Sequence, residues 1–259
     1  MSFEIIDVNL DNLDEVGLFC KQSQKKEEGY QNKITWIKDR FPEGLKYKIL
    51  KVKERNKYFF RGFIEYIPSK YTWRGISADN FMVIHCLWIV GQHKGKGYAT
   101  KMIQHAIDDA VTLGMNGVIG MTVEKGGWLP NKTIYEKMGF QHVDQFDDNI
   151  GLYAKILNNS ATKPSFYPIS SDYSEEYSKG IFVVYSHQCP YIPALIEDIK
   201  EFAKNNRVQF QSKLINSASE AQNWAIHPYG TYGILLNGKF FSYKPGMRKK
   251  TVEALQSMT

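Results

Sequence analysis

The feature that most constrains the fold is an apolar ten-residue segment that continues directly into a glycine-containing turn and an amphipathic helix. Residues 81–90 are apolar on both alternating faces apart from His85, as expected for a central strand covered on both sides. After the turn, apolar residues recur at helical spacing before Gly114: Ala99, Met102, Ile103, Ala106, Ile107, Ala110 and Val111. This succession predicts an α/β domain.

The turn has the chemistry of an anion site. Amides at a helix start lack intrahelical acceptors, and the helix dipole adds partial positive charge there. Gly95 and Gly97 let the backbone approach an anion closely, and Lys94 and Lys96 add formal charge. The spacing matches neither a P-loop nor a dinucleotide-binding fingerprint. By spacing alone, a phosphate site and an ordinary turn with solvated lysines explain it equally well.

The remaining patterns divide the chain into two domains. Residues 1–157 form the first, residues 158–179 a Ser-, Asn-, Pro- and Tyr-rich linker, and residues 180–259 a smaller second domain. In the first domain, further strands are predicted at 3–8, 46–53, 59–67, 118–123 and 150–157, and further helices at 11–20, 31–41 and 131–138. In the second, strands are predicted at 181–185, 208–214, 232–236 and 239–243, with helices between and after them.

Composition excludes several classes of protein. Among the 259 residues, 43% are apolar and 23% charged, as in globular proteins, and no apolar run is long enough to cross a bilayer. The first residues lack a signal-peptide pattern, so we expect a cytoplasmic protein without a membrane partner. The net charge of +6 is spread evenly, so nucleic acid is not an expected partner. Cys20, Cys86 and Cys189 are too far apart to predict a disulfide framework or a metal site.

Two blocks of the first domain resemble the GNAT (Gcn5-related) N-acetyltransferases. Residues 92–100 (QHKGKGYAT) match the family's Gln/Arg-x-x-Gly-x-Gly/Ala signature, and residues 131–140 (NKTIYEKMGF) match its Asn-x-x-x-Tyr-x-x-x-Gly-Phe helix. The resemblance covers residues 3–157 and implies the acyl-CoA N-acyltransferase fold, with a mixed central sheet and acetyl-CoA as cofactor. The residues that it assigns to the cofactor are Leu87, Trp88, Ile89, Gln92, Lys94, Gly95, Lys96, Gly97, Tyr98, Ala99, Thr100 and Asn131.

The same resemblance implies direct attack of an amine on the thioester, with Tyr135 as the acid that protonates the departing thiolate. For the base, Glu65, His85 and Glu124 are all candidates, and each also has an ordinary structural explanation. A small-molecule or peptide amine is the expected acceptor, whose identity the sequence leaves open. An aromatic acceptor pocket is a further hypothesis, with Trp36, Tyr71, Trp73 and Trp128 as candidates.

The second domain resembles a thioredoxin-like fold, with Cys189-Pro190 at the strand-to-helix corner and Pro228 at the position where that family often has a cis bond. The combination of both domains resembles the YoaP-like acetyltransferases. Ile192 stands where a dithiol oxidoreductase needs its second cysteine, which makes intramolecular disulfide cycling impossible. The leading hypothesis is therefore an N-acetyltransferase. The alternatives are a CoA-binding sensor and a thiol protein acting through Cys189, and association into a homodimer stays open.

Overall fold

A seven-stranded mixed sheet organises the first part of the computed structural model, which describes residues 2–126, 128–169, 177–245 and 248–257. A two-stranded sheet accompanies it, formed by β4 (Ile76–Ser77) and β9 (Ser165–Phe166). The strands of the large sheet are β1 (Phe3–Val8), β2 (Lys46–Glu54), β3 (Lys57–Pro68), β5 (Phe81–Ile89), β6 (Gly117–Val123), β7 (Gln141–Gln145) and β8 (Ile150–Ile156). Their order is β1-β2-β3-β5-β6-β8-β7, and β5 and β6 are its parallel pair.

Four helices accompany these strands: α1 (Leu13–Val16), α2 (Glu28–Arg40), α3 (Tyr98–Thr112) and α4 (Lys132–Glu136). The apolar face of α3 is buried against one face of the sheet, with Met102, Ile103 and Ala106 fully covered. Burial of side chains as large as those of Met102 and Ile103 contributes about 1.5–3 kcal/mol each. The predicted strand 81–90 and the helix after it are therefore confirmed as the centre of the sheet and its covering helix.

The parallel pair separates before either strand ends. The pairing of β5 with β6 runs from Phe81 opposite Gly117 to Ile84 opposite Gly120. Beyond these residues β5 continues to Ile89 and β6 to Val123 without facing each other as a pair. On its other edge β5 stays paired with β3, with an irregular register between Glu65 and Tyr66 that leaves His85 as an extra residue. A wedge-shaped gap therefore opens in the middle of the sheet.

Two local predictions need correction. The helix predicted at 11–20 ends at Val16, because Gly17 adopts a φ of 74° and ends the helix. Strand β7 was not predicted, because its sequence QHVDQ is largely polar and its side chains are exposed or half-buried. Within the predicted linker, Ser165–Phe166 pairs with Ile76–Ser77.

Contacts along the chain define two units. The first unit comprises Met1–Gln22, Ile37–Thr72 and Ile76–Phe166, and contains the large sheet. The second comprises Ser23–Trp36, Trp73–Gly75 and Tyr167–Thr259. Two segments that precede residue 157 thus belong to the same unit as the C-terminal residues. None of the described helices is long and apolar enough to cross a membrane.

The second unit has a four-stranded sheet of order β11-β10-β12-β13, formed by β10 (Ile181–Tyr185), β11 (Phe210–Leu214), β12 (Tyr232–Leu236) and β13 (Lys239–Ser242). Strand β10 is parallel to β11 and antiparallel to β12. The helices are α5 (Ile192–Asn205), α6 (Ala218–Asn223) and α7 (Arg248–Gln256). No peptide bond among the described residues is cis, so Pro228 follows a trans bond.

The two early segments are built into this second unit. Gly29 packs on the carbonyl of Pro190, and Gly230 packs on the carbonyl of Trp73, each so closely that a side chain could not fit. The buried guanidinium of Arg74 lies 3.9 Å from the ring centre of Tyr229 and donates to that residue's carbonyl and to Thr231 Oγ1. These contacts are typical of a core rather than of a loosely attached loop.

Candidate active site

The gap between β5 and β6 opens into a cavity of about 730 Å³. The ends of both strands, the glycine turn, the start of α3 and the segment around α4 form its walls. Its lining residues are Leu87, Trp88, Ile89, His93, Lys94, Gly95, Gly97, Tyr98, Ala99, Thr100, Val123, Glu124, Trp128, Leu129, Pro130, Asn131, Thr133, Ile134 and Lys137. Most residues predicted to bind a cofactor are therefore brought together here.

The glycine turn presents free backbone donors to this cavity. Gly95 and Gly97 both have a φ of 76°, in the left-handed region that favours glycine, and their missing side chains leave open space. Among the described residues, none accepts a hydrogen bond from the backbone amides of residues 95–100. Residues 98–100 form the first turn of α3, where the helix dipole favours negative charge. The geometry suits a phosphate or pyrophosphate.

Two predicted cofactor residues lie elsewhere. Gln92 and Lys96 line a second cavity on the other side of the turn, next to the β2–β3 hairpin. Residues of the same signature thus line two different cavities. The spacing of the residues in the sequence could not reveal this division.

Tyr135 is buried at the narrow end of the gap. Its ring lies over Gly120, the last residue of β6 that pairs with β5, and 5.0 Å from the ring of Phe140. Helix α4, which carries Tyr135, is capped at its start by Asn131, whose Oδ1 accepts from the Thr133 amide at 3.1 Å. Asn131 Nδ2 also donates to the carbonyl of Val123 at 3.4 Å, tying the helix start to the end of β6. The residue predicted to contact a cofactor therefore also positions α4.

Glu65 and His85 meet on adjacent strands. Their side chains are fully buried, with Glu65 Oε1 3.6 Å from His85 Nδ1. The other ring nitrogen, His85 Nε2, lies 3.1 Å from Thr72 Oγ1. His85 is the extra residue where β5 leaves β6, so this pair lies beside the gap. Both residues were predicted as candidate bases, but their proximity depends on the strand register and was not predicted.

Glu124, the third candidate base, lines the cavity and is partly exposed. Its carboxylate forms an ion pair with Lys132 at 2.7 Å. The hydrogen bond from this ammonium to Glu124 raises the pKa of Lys132. The carboxylate of Glu124 is thus already engaged by a cation.

Residues absent from the signature complete the cavity. Trp128 stands edge-on to Trp88 with ring centres 6.4 Å apart, and Thr133, Ile134 and Lys137 border the α4 side. Of the predicted aromatic residues, Trp128 lines this cavity. Trp36 and Trp73 instead pack against each other in the second unit, with ring centres 5.4 Å apart.

Among the described residues, no cluster of three or more His, Cys, Asp or Glu side chains could hold a metal ion.

A mixed sheet with a splayed parallel pair, an amide-lined glycine turn and a tyrosine over the narrow end of the gap together define an acetyltransferase. The chain belongs to the acetyltransferase (GNAT) family, whose model matches residues 12–140. It is 34% identical over 242 residues to YoaP of Bacillus subtilis (strain 168), described as an uncharacterized N-acetyltransferase. That match covers 92% of this chain and 93% of the relative.

Two solved structures are similar to this chain at low sequence identity. An N-acetyltransferase from Staphylococcus aureus Mu50 is 12% identical, covers 61% of this chain and all of its own, and superposes with a TM-score of 0.42. YncA of Salmonella typhimurium, a putative acetyltransferase solved with acetyl-CoA, is 14% identical, covering 62% of this chain and 97% of its own, with a TM-score of 0.44.

Proposed function

We propose that the protein transfers the acetyl group of acetyl-CoA to the primary amine of a small molecule or peptide by direct attack. The observation that carries this proposal is the gap between β5 and β6. The glycine turn borders its cavity, and the ring of Tyr135 packs on Gly120, where the pairing of the two strands ends. Family membership supports the same reaction.

The residues of the cavity fit acetyl-CoA. The amides of residues 95–100 and the ammonium of Lys94 would hold the pyrophosphate. The edge of β5 at residues 87–89, which β6 leaves unpaired, would bind the pantetheine amides as an added strand. A volume of about 730 Å³ lies within the usual range for a ligand cavity. When bound, acetyl-CoA supplies the acetyl group as a reactive thioester.

Tyr135 is the proposed acid. Its hydroxyl oxygen holds a proton beside Gly120, at the narrow end of the gap, where the sulfur of the cofactor would lie. Burial of the ring by Phe140 and the sheet keeps water away from this proton. Asn131 contributes indirectly by fixing the start of α4.

His85 is the proposed base, and Glu65 the residue that positions it. The imidazole lies beside the gap, where it would take a proton from the incoming ammonium, and the Glu65 carboxyl group 3.6 Å from Nδ1 holds the ring in place. Glu124 is a weaker candidate because Lys132 already engages its carboxylate.

The test is an acetyl-CoA turnover screen over polyamines, amino acids, aminoglycosides and peptide N-termini, with free CoA thiol as the readout. We expect at least one amine to be acetylated, and the activity to fall in Tyr135→Phe. Binding of acetyl-CoA without turnover on any amine class would instead favour a CoA-binding sensor.

For the second unit we propose a thioredoxin-like scaffold without redox chemistry. The strand order β11-β10-β12-β13 and the helix that starts just after Cys189-Pro190 support this assignment. Cys189 is buried, Ile192 replaces the second cysteine, and Gly29 packs on Pro190 at the same corner. We expect no reduction of insulin by the wild type with dithiothreitol, and nearly normal acetyl transfer in Cys189→Ser. Reductase activity that Cys189→Ser abolishes would refute the proposal.

A further inference from the structure

The second cavity beside the glycine turn, of about 820 Å³, is dominated by positive charge. Its lining comprises Lys53, Glu54, Arg55, Lys57, Phe59, Gln92, His93 and Lys96. Four of these side chains are lysine or arginine, and one is a carboxylate. We call this cavity the basic groove. His93 lines both the basic groove and the cavity at the β5–β6 gap.

The one carboxylate of the groove, that of Glu54, is already paired with an arginine that lies outside the groove lining. Arg61 Nε lies 2.6 Å from Glu54 Oε1, and Arg61 Nη2 lies 2.9 Å from Glu54 Oε2, the two-pronged geometry of a strong ion pair. His93 Nε2 lies 2.9 Å from the same carboxylate. These contacts, led by the Arg61 hydrogen bond, lower the pKa of Glu54. Glu54 therefore offers little compensation to the four cations.

The four cations have no such partner. Within the described part of the chain, neither an ion pair nor a side-chain hydrogen bond involves Lys53, Arg55, Lys57 or Lys96. Three of them are held close together by the hairpin turn at Arg55-Asn56, where both residues have a positive φ. Like charges gathered on a tight turn repel one another and destabilise the hairpin. An anion in the groove would remove that repulsion.

We infer that the basic groove binds a phosphate group other than the one proposed for the amides of residues 95–100. Phosphate carries more than one negative charge and several acceptor oxygens, which suits several lysine and arginine donors around one space. Two sources have this chemistry: the 3′-phosphate of CoA, reaching across the turn, and the phosphate of a second ligand. The CoA source rests on the proposed function, whereas the second source does not.

The experiment measures binding by calorimetry in three arms: CoA, dephospho-CoA, and inorganic tripolyphosphate added to CoA-saturated protein. The variant is Lys53→Glu/Lys57→Glu, with Lys53→Gln/Lys57→Gln as a gentler form. The matched control is Lys200→Glu/Lys249→Glu, which makes the same charge change at exposed lysines of the second unit. Thermal unfolding checks that every variant is folded.

If the source is the cofactor, the wild type and the control bind CoA roughly tenfold more tightly than dephospho-CoA, and the groove variants bind both equally. If the source is a second ligand, the wild type binds CoA and dephospho-CoA with equal affinity. Tripolyphosphate then binds the CoA-saturated wild type and control, but not the groove variants. The inference is overturned when neither difference is seen, or when the control loses binding as much as the groove variants. A wild type that binds neither CoA nor dephospho-CoA contradicts the proposed cofactor site, and tripolyphosphate added to the free protein then tests the groove separately.

Discussion

The ring of Tyr135 lies directly over Gly120, so that a β-carbon on Gly120 would be 2.5 Å from the tyrosine hydroxyl oxygen. The absence of a side chain at Gly120 is therefore what allows the tyrosine to reach the narrow end of the gap between β5 and β6.

Gly120→Ala should displace Tyr135 and lower both stability and turnover. Forcing a methyl group into this contact should cost about 1–3 kcal/mol in the free energy of unfolding. Urea unfolding and the acetyl-transfer rate measure the two effects. The control is Gly91→Ala, where an added β-carbon meets nothing within 4 Å. Equal behaviour of the two variants would show that the ring can move aside.

Tyr135→Phe should lower turnover by roughly 10²–10⁴ while leaving the affinity for acetyl-CoA nearly unchanged. The aromatic ring that fills the core is kept, and only the proton donor is removed. Tyr153→Phe serves as the control, because Tyr153 belongs to the same core and its hydroxyl bonds to Glu136 instead. Wild-type turnover in Tyr135→Phe would exclude the acid role.

Gly97→Glu should weaken CoA binding by more than about tenfold, because the new carboxylate would compete with the phosphate for the backbone amides. Each hydrogen bond from an amide to a charged group contributes roughly 1.5–3 kcal/mol. Gly114→Glu is the matched control. It lies just beyond the other end of α3, with a φ of 62° and the same open space, and so carries a similar backbone strain. Calorimetry of both variants separates the loss of the anion site from that strain. Equal CoA affinities in the two would contradict the anion site.

His85→Gln and Glu65→Gln test the proposed base. We expect His85→Gln to lose roughly 10²–10⁴ in turnover, and Glu65→Gln to lose less, because a positioning residue acts through the imidazole. The double variant should be little worse than His85→Gln alone, since the two residues form one unit. Full additivity of the two losses, measured as kcat, would show that they act independently.

The buried imidazole of His227 should make the free energy of unfolding depend on pH. Burial, with a smaller contribution from the Arg74 guanidinium, lowers its pKa to about 3. The unfolded chain takes up this proton near pH 6.5, so stability is full above that value and falls as the pH drops toward 3, by about 1.4 kcal/mol per pH unit. Urea unfolding between pH 7.5 and 5 should show this slope in the wild type.

His227→Phe supplies the comparison, because its ring can keep the stacking on Tyr243, where the ring centres are 4.3 Å apart. Its lower overall stability, from the lost acceptor for the Tyr229 amide, does not change the slope. The same pH slope in both proteins would contradict the assignment.

The sequence predicts the elements of the first unit well where apolar periodicity is strong. Strand β5 and helix α3 are examples, because burial on both strand faces and on one helix face leaves a clear pattern. The prediction misses β7, because the polar side chains of this strand carry no such pattern. The end of α1 depended on Gly17, whose backbone conformation periodicity does not describe.

In the candidate site too, some features could be predicted from the sequence and others could not. The glycine turn and the α4 block are local in sequence, so their motif could be recognised. The proximity of Glu65 to His85 depends on the register of β3 against β5 and its irregularity, which no local pattern encodes. The separation of Gln92 and Lys96 from Lys94 likewise follows from backbone geometry.

The composition of the second unit bears on how the nascent chain reaches its native state. Ser23–Trp36 and Trp73–Gly75 leave the ribosome long before Tyr167–Thr259, yet their neighbours in the unit include Pro190, Tyr229 and Gly230. Such late, distant closure is slow and exposes apolar surface in the meantime. Trp36 and Trp73 therefore cannot be buried in this unit until the C-terminal residues have been translated. In a chain whose translation stops early, both indole rings stay exposed, and chaperones and proteases can reach them.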